Sequence, residues 1–446
     1  MALYALYLKK KYLMVLHVIS TQKKNDSALR ILSGCFVGTA FEWYDFFIYA
    51  SAASLVFSKL YFGSGSELTT QLAAFSTFAV GFFARPLGGV VIAHYGDRFG
   101  RKNTLVFCLL TMGLATATIG LIPTYESIGI WAPVLLVFLR LVQGVGVGGE
   151  WGGAALMAVE KAPQHLRGFY GGFVQIGVPA GLIMANAAFL GVTYFLSDDE
   201  FMQWGWRIPF LASILLVVVG ILVRLGLEES DLFKKNLKSI DKEKAPIIEA
   251  LSNHRARIIW SALVYSSTAM MGYVLVAYLL SYGVSVLELD KSVMLSLVLI
   301  GSFSWLVSSL LFSYISDRIG RKKLYFIGGV AAIIWAVPFV FLLNTKSYPL
   351  MAMATIVFSL PVAATYSPLA ALFAELFPTR VRYTASSIGY QLGTIVGGAF
   401  VPVIATALQA VTGNSYSLSG YIIVSVMIGL FSLRFIPETA HGSIDY

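Results

Sequence analysis

The chain has 446 residues, 57% of them apolar and only 12% charged, against about 25% charged in soluble domains, which excludes a soluble enzyme. Its two cysteines, Cys35 and Cys108, build no disulfide scaffold, and five scattered histidines offer no metal-ligand spacing. A formal charge of +9 would point to nucleic acid in a soluble chain, but here the basic residues stand between long apolar runs, so the charge is a property of loops.

A membrane helix needs about 20 mostly apolar residues. That ruler predicts twelve spans in chain order, near 32–57, 69–95, 104–122, 131–159, 169–194, 207–226, 258–286, 293–315, 323–343, 349–375, 384–410 and 418–436. Segments before the first span, after each even-numbered span and after the last carry 26 Lys and Arg. The segments on the other side carry four, Lys59, Arg207, Lys291 and Lys346, so both termini are expected in the cytoplasm. Residues 1–30 are read as a cytoplasmic extension, because the apolar start is followed by Lys9, Lys10 and Lys11 without a cleavage site, the reverse of a signal peptide. Residues 31–226 and 258–436 then form two six-helix bundles, joined by a polar cytoplasmic loop at 227–257 and followed by a short tail, 437–446. The end of that loop, from Pro246, has the pattern of a short interfacial helix started by proline.

The halves repeat each other. Gly96-Asp97-Arg98-Phe99-Gly100-Arg101-Lys102 follows span two, and Ser316-Asp317-Arg318-Ile319-Gly320-Arg321-Lys322 follows span eight, with the aspartates 220 residues apart. Glu160, Pro163 and Arg167 close span four, and Glu375, Pro378 and Arg382 close span ten at the same spacing. Gln175, Gly177 and Gly181 follow the first set, and Gln391, Gly393 and Gly397 follow the second. A tandem of six-span bundles is an architecture of secondary transporters, with the site between the repeats.

The paired D-R-x-G-R-K loops resemble the signature loop of the major facilitator superfamily, with Ala93 and Ser313 where that pattern has its first glycine. Glu42-Trp43-Tyr44-Asp45-Phe46, Arg85-Pro86-Leu87-Gly88-Gly89, the glycine-rich run Gly148 to Gly153 and Trp204-Gly205-Trp206-Arg207-Ile208-Pro209-Phe210 resemble its metabolite:proton symporter branch, which includes shikimate, α-ketoglutarate and proline/betaine permeases. The resemblance implies an all-α polytopic fold of twelve membrane helices in two pseudo-symmetric bundles. The chain stops about ten residues beyond its last span, whereas proline/betaine permeases continue into a cytoplasmic coiled coil, which weakens the osmolyte reading.

Charges inside spans are costly, about 2.5–3.5 kcal/mol each on insertion scales, and so mark candidate sites. Only Arg85, Arg140, Glu42, Asp45 and Glu150 fall well inside, all in the first half. Glu42, Asp45 and Tyr49 share a face of span one; Arg140, Gln143 and Glu150 or Trp151 form a stripe on span four. Arg85 either binds a substrate carboxylate or staples spans one and two by pairing with Asp45 or Glu42. Arg140, within R-x-x-Q-G-x-G, resembles a span-four motif tied to proton coupling. Asp45 is the preferred proton carrier, then Glu42 and Glu150; no histidine lies mid-span. Gln143, Tyr49, Trp151, Gln175, Tyr390 and Gln391 are further substrate-binding candidates. Spans seven to twelve supply an uncharged second wall rich in aromatic groups, among them Tyr265, Tyr273, Tyr278 and Tyr366.

A conformational latch is expected from Asp97, Arg98, Arg101, Asp317, Arg318 and Arg321, joined by Glu160, Arg167, Glu375 and Arg382. The string Gly144-x-Gly146-x-x-Gly149 lies within an apolar helix and follows no strand, so its glycines serve helix contact rather than a dinucleotide. The expected function is proton-coupled uptake of a small carboxylated metabolite by a monomer in the inner membrane, with protons and the bilayer as partners and with no cofactor, metal, nucleic acid or enzymatic chemistry. Uptake of an osmolyte, proton-driven efflux and a nutrient sensor that does not transport are the alternatives.

Overall fold

The computed structural model describes residues 32–63, 66–99, 101–148, 150–225, 246–379, 381–440 and 442, with backbone alone at 89–91, 93–99, 101–105, 223–225 and 246. The expected N-terminal extension and most of the central loop lie outside these residues. Among the described residues nine helices are long and apolar enough to cross a membrane. The helical segments are α1 (32–60), α2 (Glu67–Phe99), α3 (Arg101–Ile119), α4 (Trp131–Glu160), α5 (Gln164–Phe195), α6 (Ile208–Leu225), α7 (Arg255–Ser285), α8 (Lys291–Ile319), α9 (Arg321–Asn344), α10 (Tyr348–Leu376), α11 (Arg382–Thr412) and α12 (Ser417–Phe435). The proline-initiated helix before α7 forms at Pro246–Asn253.

Outward faces are apolar, with Leu215, Ile334 and Leu222 all exposed, as lipid-facing helices require. The buried side of the assembly is aromatic and continuous across both halves. The repeated Gln-x-Gly-x3-Gly strings perform one packing task twice. On α5, a Cβ at Gly181 would stand 2.6 Å from the Ala40 carbonyl oxygen of α1. On α11, one at Gly397 would stand 1.8 Å from that of Ser266 in α7. Backbones therefore touch directly in both halves, and any side chain there must separate them. Gly397→Val is expected to cost about 1–3 kcal/mol, read as a lower thermal midpoint of the purified chain than that of Gly191→Val, where a Cβ meets nothing within 4 Å.

Irregularities also recur between the halves. Wide π turns interrupt α1 at Ala53–Phe57 and α7 at Val274–Tyr278, and Ser54 of the first donates to the Ala277 carbonyl of the second at 3.2 Å. Such turns concentrate at functional sites. Span four carries a tighter turn at Gly148, whose amide donates to the Val145 carbonyl at 3.4 Å.

Candidate binding site between the halves

Close contact between α2 and α4 builds the charged part of the site. A Cβ on Gly88 would lie 2.1 Å from the Val145 carbonyl oxygen, and one on Gly144 would lie 2.3 Å from that of Gly81. This brings Arg85 and Arg140 to one ring, with their Cζ atoms 4.6 Å and 4.9 Å from the centre of Phe46. Arg85 is 2% exposed and also faces Trp43 and Phe82 at 5.5 Å and 4.9 Å. Arg140, 1% exposed, sits 4.0 Å over Tyr49, whose hydroxyl is 2.6 Å from Thr77 Oγ1.

Neither guanidinium forms an ion pair among the described residues. Removing the carboxylate from a buried ion pair costs about 3–5 kcal/mol, and a cation–π contact returns only about 0.5–2 kcal/mol. Aromatic rings alone therefore do not compensate Arg85, whereas Arg140 also donates to Gln143 Oε1 at 2.9 Å and to the Phe78 carbonyl at 3.5 Å. The staple between Arg85 and Asp45 that the sequence allowed is not formed.

Asp45 points elsewhere. Its Oδ2 lies 3.8 Å from where a Cβ of Gly113 in α3 would stand, its Oδ1 has no hydrogen-bond partner among the described residues, and Thr116 is beside it. Thr116 Oγ1 accepts from Gln143 Nε2 at 2.6 Å, and Gln143 Oε1 accepts from Arg140 at 2.9 Å. A polar chain thus runs from Arg140 toward Asp45 inside the first half. Glu42 and Glu150 are both buried.

A small cavity lies at the junction of the halves, lined by Trp43 and Phe47 of α1, Val178 of α5, Tyr265, Thr268 and Tyr273 of α7, Trp305 of α8 and Tyr366 of α10. Tyr273 carries the contact to the charged region, its ring 5.4 Å from Phe82 and 6.0 Å from Phe46. Trp43, Phe47 and Trp305 were not among the expected site residues. A mid-span tryptophan with a polar N–H was the signal available, but aromatic residues at helical spacing most often serve the core.

Four expected substrate ligands, Trp151, Gln175, Tyr390 and Gln391, are not among the residues that line this cavity. Trp151 stacks on Tyr390 at 3.8 Å and 11°, and Tyr390 stacks on Tyr265 at 4.2 Å. Gln175 accepts from Trp151 Nε1 at 3.3 Å and donates to the Tyr366 carbonyl at 2.7 Å. Gln391 donates to the Gly148 carbonyl at 3.2 Å. Every one of these contacts except Tyr390–Tyr265 and Trp151–Gln175 crosses between halves.

Comparison with known proteins now decides the family: the profile described as Major Facilitator Superfamily matches residues 35–402. The chain belongs to the major facilitator superfamily. It is 37% identical over 427 residues to the inner membrane metabolite transport protein YhjE of Escherichia coli (strain K12), covering 94% of this chain and 96% of that one. It is 38% identical over 422 residues to the shikimate transporter of the same organism, covering 92% and 95%, and 28% identical over 427 residues to its proline/betaine transporter, covering 94% and 85%. A structure titled as the partially occluded inward open conformation of the xylose transporter XylE from E. coli superposes with a TM-score of 0.74 at 17% identity, covering 93% of this chain and 99% of that one. This major facilitator protein is therefore a membrane transporter and not an enzyme.

In this transporter charged contacts gather at the end that carries the basic loops. Arg321 pairs with Asp317 at 2.8 Å and with Glu375 at 3.2 Å. Asp317 also accepts from the Gly168 and Phe169 amides at 2.8 Å and 2.9 Å, so a carboxylate of the second half caps α5 of the first. Gly172 admits Ser313 there, whose Oγ would lie 2.5 Å from an added Cβ; the small residue that replaces the signature glycine still permits the contact. Arg382 reaches Glu160 across the halves at 3.8 Å. Arg167 donates to the Gly442 carbonyl at 2.8 Å. Arg318 lies over the Tyr314 ring at 4.6 Å and outside this cluster. The side chains of Asp97, Arg98 and Arg101 lie outside the described residues.

At the opposite end Gln71 donates to Ser281 at 2.7 Å, and Lys291 meets Asp198 at 2.8 Å. The hydrogen bond and charge of Lys291 hold the Asp198 carboxyl below its ordinary value. A lowered carboxyl stabilises its contact above the unfolded value and loses it as pH falls through the folded one. Asp198 thus stays charged throughout neutral pH, and transport by Asp198→Asn is expected to keep the wild-type pH profile between about pH 5.5 and 8 in a proteoliposome assay.

Proposed function

We propose that this transporter takes up a small carboxylated metabolite together with protons by alternating access. Arg85 carries the reading: a buried guanidinium without an ion pair among the described residues, held between aromatic rings beside a cavity at the junction of the halves. A carboxylate fits its planar donors bidentately, and one relative is named for shikimate, a carboxylated molecule. Asp45 carries the proton. Its position beside Thr116, at the end of the chain through Gln143 to Arg140, links its charge to the guanidinium region. The latch residues hold the basic end shut, that end faces the cytoplasm, and one chain is the working unit. The aromatic lining of the cavity favours a second reading, a quaternary ammonium osmolyte, in keeping with the relative named as a proline/betaine transporter.

Matched acids and amides test the carboxylate. Any acid that binds the purified chain should lose at least about tenfold in affinity as its primary amide, and equal binding of an acid and its amide would remove Arg85 from recognition. Orientation is tested separately. A cysteine at Ser197 should react with an impermeant thiol reagent in intact cells, whereas one at Ser252 should react only after permeabilisation; the opposite pattern reverses the topology.

A further inference from the structure

Four residues that line the cavity hold buried hydrogen-bond donors with no acceptor among the described residues: Trp43 Nε1, Tyr273 OH, Trp305 Nε1 and Tyr366 OH. All four residues are at most 4% exposed. Three belong to the second half, whose part of the wall contributes neither a cation nor a carboxylate. We infer that these donors select the body of the substrate, and that the substrate class is a compact monocarboxylic acid bearing several hydroxyl groups. The inference rests on the carboxylate reading above and adds to it the recognition of everything beyond the carboxylate.

The choice follows from what each candidate leaves unsatisfied. A buried donor without an acceptor costs about 5- to 150-fold in affinity. A tryptophan N–H can only donate. A methylated ammonium accepts nothing, so a betaine would leave these donors dry despite favourable contact with the rings. An acid with a purely hydrocarbon body would do the same. A second carboxylate directed at these donors could accept, but it would enter a wall that includes neither Arg140 nor any other cation and remain a buried, uncompensated charge. Hydroxyl oxygens accept from Trp305 and Tyr273, can donate onward to the Tyr366 hydroxyl, and carry no charge.

Isothermal titration of the purified full-length chain tests this with fixed probes: shikimate and quinate against cyclohexanecarboxylate, gluconate against hexanoate, and succinate and glycine betaine as the charged alternatives. At least one hydroxylated acid should bind about tenfold or more tightly than its hydrocarbon counterpart and than both alternatives. Trp305→Phe and Tyr273→Phe keep the rings and remove the donors, so each should shrink that ratio at least about fivefold; a merely structural defect would weaken both members of a pair alike. Hydrocarbon acids binding as well as hydroxylated ones, tighter binding of succinate or betaine, or a ratio unmoved in both variants would each overturn the inference. If no acid in the panel binds, the carboxylate reading falls and takes the inference with it, whereas equal binding of both kinds of acid sinks the inference alone.

Discussion

Replacing Asp45 by asparagine is expected to abolish accumulation of substrate driven by a pH gradient while exchange of labelled for unlabelled substrate continues. Asparagine resembles a permanently protonated acid in size and polarity, so the variant can cycle loaded but cannot deliver a proton. The position of Asp45 makes this separation possible. It lies against α3 at Gly113 and Thr116, not in the wall of the cavity, so its removal should leave substrate contacts in place and equilibrium affinity within a few-fold. Counterflow and gradient-driven uptake in the same proteoliposomes read the two activities apart. Accumulation at the wild-type rate would clear Asp45 and direct the test to Glu42 and Glu150.

Arg85 should fail in the other way. Arg85→Lys keeps the charge and loses the planar fork, which should weaken binding of the acid by about 10- to 100-fold, the worth of a charged hydrogen bond of about 1.5–3 kcal/mol. Arg85→Ala should lose at least as much. Three rings pack on this guanidinium, so the alanine variant also tests a structural role: normal affinity in the surviving protein with poor yield would mean that Arg85 only holds α1 against α2. Lysine, which refills most of the space, separates the outcomes. A slower but still tight-binding transporter is the expectation for Asp317→Asn, because the carboxylate caps α5 and pairs with Arg321 far from the cavity.

What the sequence made legible follows from what each signal encodes. Span number rests on apolar length, which bilayer thickness fixes without reference to tertiary structure, and the twofold organisation rests on strings such as D-R-x-G-R-K. The same repeat told which glycines matter, since Gly181 and Gly397 make equivalent contacts in the two halves. Charged candidates were visible because burial of Arg85 or Asp45 is expensive anywhere in a span. Their pairing was not. Whether Arg85 meets Asp45 depends on how α1 is rotated against α2 and α3, a choice made by the packing of Gly88 and Gly113 and invisible in residue spacing. The uncharged wall was hardest to read. Trp305 and Tyr390 look alike as mid-span aromatics, yet one lines the cavity and the other stacks on Trp151 outside its lining, and only the path of the helices separates these fates.

The central claim is that a carboxylated metabolite and protons move together through this site. Purified chain in sealed proteoliposomes, given a labelled acid selected by the binding panel and an imposed pH gradient, acid outside, should accumulate that acid above its external concentration. A protonophore should collapse the accumulation. Asp45→Asn should reach only equilibration. Accumulation of the same size with no pH gradient, or with the gradient reversed, would contradict the account.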